Sequence, residues 1–209
     1  DALHDADIET VVCRQEGGAA YMAEAVGKLT GRPGIAMVTR GPGATNASSG
    51  IHIASQDSTP MILFVGQVAR DMKEREAFQE LDYKAVFGSM AKWVVEIDRA
   101  ERIPEIISRA YHVAMQGRPG PVVIALPEDM LTDRVAVANA MRAEPVLVRP
   151  AAQDMQELQR RLLASSRPIV LAGGSGWTAE GSGDLQRFAE SFRLPVAVTF
   201  RRQMLFPAD

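Results

Sequence analysis

Cysteine is almost absent: Cys13 is the one thiol in 209 residues. That excludes an intramolecular disulfide and a cysteine-based metal site, and it suits a reducing cytoplasm. The three histidines, His4, His52 and His112, are scattered and read as structural, so no metal site is expected. Positive charge is not in excess. A net charge of −3 gives no reason to expect nucleic acid or an anionic membrane as partner. The longest apolar runs, such as "PMILFVG" at 60–66, fall far short of the about 20 residues that span a bilayer. No signal-peptide pattern is present. An initiating Met is also missing. The chain opens at Asp1 and closes on "LFPAD" without a recognisable final element, so the expectation is a portion of a longer protein.

What is present is a rhythm. Hydrophobic residues make up 46% of the chain and charged residues 23%, enough to bury a sizeable core. Short β-branched runs alternate with amphipathic or small-residue stretches. Strands are expected at 8–13, 34–39, 60–66, 91–97 and 120–127, with helices at 17–31, 43–58 and 99–117. In the last of these, Ile103, Ile106, Ile107, Ala110, Val113 and Ala114 recur at helical spacing and Gly117 stops the pattern. Near-continuous apolar strands separated by helices predict a doubly wound, mostly parallel α/β sheet covered on both faces. Residues 1–134 form this first domain, 135–152 read as a linker, and 153–209 restart the pattern as the first part of a second α/β domain. There the expected elements are helices at 152–165 and 183–193 and strands at 167–174 and 194–200.

Ligands of open α/β sheets bind beyond the carboxyl ends of the strands. Four stretches fall there: "CRQEGG" (13–18), "TRGPGATN" (39–46), "GQVARDMKEREAFQE" (66–80) and "LAGGSGW" (171–177). "GPGATN" lacks the ending of a phosphate-binding P-loop and the spacing of a dinucleotide fingerprint. A tight strand-to-helix turn accounts for it, although such a turn can also hold a polar ligand through backbone N–H groups. Glu16 has an ordinary reading as a helix-start acid, favoured by the macrodipole by roughly 0.3–1 kcal/mol. Gly17 and Gly18 count against that reading, since each glycine costs about 1 kcal/mol inside a helix. Two in a row point to close packing against the backbone.

"QEGGAAYMAEA", "VTRGPGATN", "PMILFVGQV", "AFQELD", "AKW" and "GRPGPVVIALPEDM" occur in this order. Together they resemble the N-terminal, pyrimidine-binding domain of thiamine-diphosphate enzymes of the acetolactate synthase type, with a looser resemblance to the central domain over 153–209. The resemblance implies a 2-oxo-acid decarboxylase or carboligase. It implies that Glu16 is catalytic, contacting N1′ of the cofactor's aminopyrimidine and favouring its imino tautomer, which in turn removes the C2 proton. Such a carboxyl is expected to be buried with a raised pKa. The two glycines would then leave room for the ring and for a close subunit contact.

The resemblance further places Gly41, Pro42, Gly43 and Asn46 at the cofactor, with a helix-start cap as the alternative for Asn46. It places Phe78, Gln79 and Lys92 at a substrate channel. Core packing is the alternative for Phe78 and a solvated strand edge for Lys92. Tyr21 and Met22 face either the core or a subunit interface. Mg2+ and the cofactor's phosphates are expected on a domain absent from this chain, whose pattern would carry Gly-Asp-Gly…Asn. The expected partners are a second copy of the chain, as a homodimer or homotetramer, and a small 2-oxo acid. The implied setting is cytoplasmic, and FAD is left open. By the resemblance, the 209 residues are expected to be inactive alone.

Gln15 stands where the synthases commonly have His, and Arg40 where they have Ser. Arg201, Arg202 and Gln203 also depart from the synthase pattern. Another thiamine-diphosphate lyase, of the benzoylformate decarboxylase or glyoxylate carboligase type, therefore stays open. So does a non-catalytic nucleotide-binding α/β module.

Overall fold

The computed structural model describes residues 3–207. The chain divides into two compact units, the first ending at Glu144 and the second beginning at Pro145.

The first unit contains α1 (Glu16–Thr30), β1 (Gly34–Val38), α2 (Pro42–Asp57), β2 (Met61–Gln67), α3 (Tyr83–Phe87), β3 (Trp93–Glu96), α4 (Ile103–Met115) and β4 (Pro121–Pro127). The four strands form one parallel sheet in the order β1-β2-β4-β3. Successive side chains of a strand point to opposite faces, and both faces are used. Met61, Leu63, Val65, Val123 and Ala125 pack under α1, α2 and α3. Ile62, Val122 and Ile124 pack under α4 through Ile106, Ala110 and Ala114. Each fully buried Val, Leu, Ile or Met side chain of this set is worth about 1.5–3 kcal/mol relative to exposure.

The helices are sited by local chemistry. Gln15 caps α1 by accepting from Gly18 N–H at 2.7 Å. Gly31 ends the helix at φ 68°, a left-handed turn that glycine adopts without penalty. Pro42 opens α2, where its missing N–H costs nothing. The small residues of α1 and α2 let the backbones close up. A Cβ on Gly50 would lie 2.5 Å from Ala20 Cβ.

The expected strand at 8–13 does not form: these residues are irregular, with Val11 62% and Val12 91% exposed. The apolar run is strand-like, but among the described residues no strand pairs with it. A strand needs a hydrogen-bonded neighbour as well as propensity. The 99–117 helix is split into a 3-10 turn at Ala100–Arg102 and α4, because Pro104 suits only a first helical turn.

The second unit contains α5 (Ala152–Ala164), β5 (Val170–Ala172), α6 (Ala179–Phe192) and β6 (Val196–Val198). Its two strands pair in parallel. Helix α6 starts four residues earlier than the 183–193 pattern indicates, because Thr178 accepts from Gly181 N–H at 3.0 Å and caps it there. The "GGSGW" glycines serve the turn: Gly174 and Gly176 have φ of 80° and 86°.

Candidate functional site

Residues following β1 and preceding α1 meet at the carboxyl end of the sheet. Gly41 turns the chain out of β1 with φ 57°. Its N–H donates to Tyr83 Oη at 3.2 Å, and that hydroxyl donates to Gly66 O at 2.9 Å. Tyr83 is buried, which pushes its pKa up and keeps the hydroxyl a donor. Pro42 and Gly43 then start α2, and Asn46 lies one turn inside it. Asn46 Nδ2 donates to Glu16 Oε2 at 3.1 Å. A Cβ on Gly43 would sit 3.6 Å from Glu16 Oε1. Glu16, Gly43 and Asn46 therefore form one cluster. Asn46 is not the cap of α2, a position that Gly41 takes.

Glu16 differs from expectation in its surroundings. It is half-buried, and its pKa lies below the ordinary glutamate value. The first cause is hydrogen bonding from its own backbone N–H at the helix start, and the second is Asn46. The buried acid of α1 is instead Glu24, 7% exposed, which accepts from Thr59 Oγ1 at 2.9 Å. The two glycines also divide. A Cβ on Gly17 would meet Gln15 Oε1 at 2.9 Å and Asn46 O at 3.2 Å, so α2 packs against it. At Gly18 the nearest contact would be an ordinary 3.8 Å.

The Phe78–Gln79 pair reaches the same end of the sheet. Arg40 Nε donates to Phe78 O at 3.2 Å. A Cβ on Gly41 would lie 2.7 Å from Gln79 Cβ, so Gln79 rests on the turn. Phe78 is 77% exposed, which removes the core-packing reading. Tyr21 and Met22 are likewise exposed rather than core.

Lys92 is not brought to this cluster. Its backbone pairs with Pro121 O at the amino end of the sheet, and its Nζ donates to Val113 O and Gln116 O at 2.5 and 2.8 Å. It caps the carbonyl end of α4, where a cation is favoured. Partial burial pulls its pKa below the ordinary lysine value.

Sequence reasoning missed Gln15 as a cap, Tyr83 as a bracket and the Arg70 network. Arg70 bonds Asp129 at 2.6 Å and Asp133 at 2.9 Å, tying the loop after β2 to the loop after β4. No short-range pattern signals a pair 59 or 63 residues apart. Among the described residues, no group of three His, Cys, Asp or Glu side chains could hold a metal ion. No described helix is long and apolar enough to cross a membrane.

Residues 1–86 match the family described as "Thiamine pyrophosphate enzyme, N-terminal TPP binding domain", and residues 155–209 match its "central domain". The chain belongs to the thiamine pyrophosphate enzymes. Its parallel sheet flanked by helices agrees with that N-terminal domain. Among its relatives are the acetolactate synthase large subunit of Lactococcus lactis subsp. lactis (strain IL1403), 38% identical over 95% of this chain. The acetolactate synthase isozyme 3 large subunit of Escherichia coli (strain K12) is 36% identical over the whole chain. The probable acetolactate synthase large subunit of Methanocaldococcus jannaschii is 35% identical, also over the whole chain. The chain spans 36% to 38% of the length of these relatives.

Proposed function

We propose that this chain supplies the pyrimidine-binding half of a thiamine-diphosphate site in a 2-oxo-acid decarboxylase or carboligase of the acetolactate synthase type. The observation that carries the proposal is the Glu16–Gly43–Asn46 cluster at the carboxyl end of the sheet. The residues fit the cofactor's ring chemically. A carboxylate with one oxygen held by Asn46 and the other beside a glycine is an acceptor for a protonated ring nitrogen, with no Cβ in the way. The bound cofactor supplies the carbanion chemistry; the protein supplies orientation and proton control.

In this reading Glu16 holds a proton shared with the ring nitrogen, Asn46 fixes the carboxylate's direction, and Gly41 to Gly43 bring the backbone close to the ring. Cover by the ring and by a second copy of the chain would desolvate Glu16. That would drive its pKa upward from its depressed value here. The diphosphate and Mg2+ are assigned to a further domain, any FAD to the central-domain unit, and the setting to the cytoplasm. The substrate is a small 2-oxo acid reaching the site past Phe78 and Gln79.

Titration of the enzyme carrying this chain with thiamine diphosphate and Mg2+, followed by C2–H exchange of the bound cofactor, tests the reading. Glu16→Gln is expected to slow exchange by about 10²–10⁴-fold, the range of general acid–base catalysis. Exchange at the unaltered rate would refute the role of Glu16. A second reading, another lyase of the same cofactor class, draws support from Arg40 and Gln15, which make defined contacts and differ from the synthase pattern. Product identification across a panel of 2-oxo acids separates the two.

A further inference from the structure

Arg40 is half-buried between the candidate turn and the loop that follows β2. Its guanidinium points two ways. Nε donates to Phe78 O at 3.2 Å and Nη1 pairs with Glu128 Oε2 at 2.8 Å. One residue on, Gly41 lies against Gln79 so closely that a Cβ would be 2.7 Å from Gln79 Cβ and 3.0 Å from its carbonyl oxygen. The loop itself is unusual. Glu74, Glu76 and Gln79 all adopt left-handed backbone, with φ of 63°, 54° and 66°. Such residues persist only where their surroundings hold them. The near side of the loop is tied by Lys73–Glu96 at 2.7 Å and by Arg70 to Asp129 and Asp133. Arg40 supplies a side-chain tie on the far side, where Phe78 stands exposed.

We infer that Arg40 is a positioning residue: it clamps the Phe78–Gln79 segment onto the Gly41–Pro42 turn and thereby sets which substrate reaches the Glu16 cluster. The inference rests on the proposed function for its consequence, but not for the clamp itself. A planar fork with donors on separate edges can serve Phe78 O and Glu128 together, whereas a lysine presents one point charge. Arg40→Lys should therefore keep the charge and lose the clamp.

The test has two arms on Arg40→Gln, Arg40→Lys and Glu128→Gln. The first is amide hydrogen exchange of the protein without cofactor. Both Arg40 variants should raise exchange across 77–80 by about tenfold, the effect of losing one charge-assisted hydrogen bond. Amides of β2 and β4 should keep their protection, which shows that the fold is intact. Glu128→Gln should give a smaller rise. Unchanged exchange at 77–80 in both Arg40 variants overturns the clamp.

The second arm is steady-state kinetics and product ratio over 2-oxo acids of increasing size. The Arg40 variants should raise KM or shift the product ratio while leaving C2–H exchange of the bound cofactor unchanged. Raised loop exchange with unaltered KM and product ratio overturns the substrate role. If the unaltered enzyme binds no thiamine diphosphate, the proposed function fails, and the first arm alone then decides the clamp.

Discussion

The two ends of the four-stranded sheet are closed by different means. At the amino end the backbone itself is in contact. A Cβ on Gly34 would fall 1.8 Å from Ala23 O, and one on Gly27 would fall 2.1 Å from Pro60 O. Lys92 and Arg118 add donors to carbonyls at the ends of α4 and α2. At the carboxyl end Gly41 approaches Gln79 less closely, and most of the ties are side chains: Tyr83 on Gly41 and Gly66, Gln67 on Leu81 O, Arg40 on Phe78 O and Arg70 on two aspartates. Backbone contact leaves no room for change. Side-chain ties can be exchanged without moving the scaffold, and that is where a rigid fold presents variable chemistry.

The most damaging change should be at the amino end. Gly34→Ala places a methyl inside the Ala23 carbonyl, so α1 must move off the sheet. A loss of about 3 kcal/mol, the upper part of the overpacking range, should appear as a lowered urea midpoint. A midpoint unchanged from the parent would mean that the close approach carries no constraint.

At the carboxyl end, Tyr83→Phe removes a buried hydroxyl that both accepts and donates. About 1–3 kcal/mol should be lost, because Gly41 N–H and Gly66 O are left without that partner. Cofactor affinity should fall with it, since Gly41 sets the turn. A loss of stability without any loss of affinity would separate the bracket from the site.

A pH effect of smaller size should come from Asp129, whose pKa is held below the ordinary range chiefly by its hydrogen bond with Arg70. A depressed folded pKa contributes stability that is fully present above the unfolded value, about 3.9 for aspartate. The contribution is lost as pH falls through the lower folded value. Urea midpoints should thus be insensitive to Asp129→Asn below that window and lowered by it at neutral pH.

Lys92→Met should have the least effect, under about 1 kcal/mol for a cation that stays largely exposed while its Nζ is partly covered by helix carbonyls. Activity should be unaltered, as Lys92 lies at the end away from Glu16. Impaired catalysis would erase the distinction between the two ends and restore Lys92 to a substrate channel.

Much of the fold is legible along the chain because α/β units are built from local signals. The helices expected at 17–31 and 43–58 lie within a residue of α1 and α2, whereas the one expected from 99 starts as an α-helix only at Ile103. The short helix Tyr83–Phe87 was not legible, since five residues carry too little periodicity. The cluster of Glu16, Gly43 and Asn46 was legible only as a set of motifs. Which acid of α1 would be buried was not. Glu24 and Glu16 are eight positions apart, and burial depends on Thr59 approaching one and Asn46 meeting the other from the surface.

By itself the sequence determined the alternation of strands and helices, the parallel sheet and the family, because periodicity, glycine placement and ordered motifs are properties of the chain. Only the tertiary structure decided that residues 8–13 stay unpaired, that Lys92 belongs to α4 and that Arg40 reaches Phe78. Each of these depends on partners 21 or more residues away, or on a strand neighbour being there at all. Sequence spacing carries no record of such distances; packing creates them.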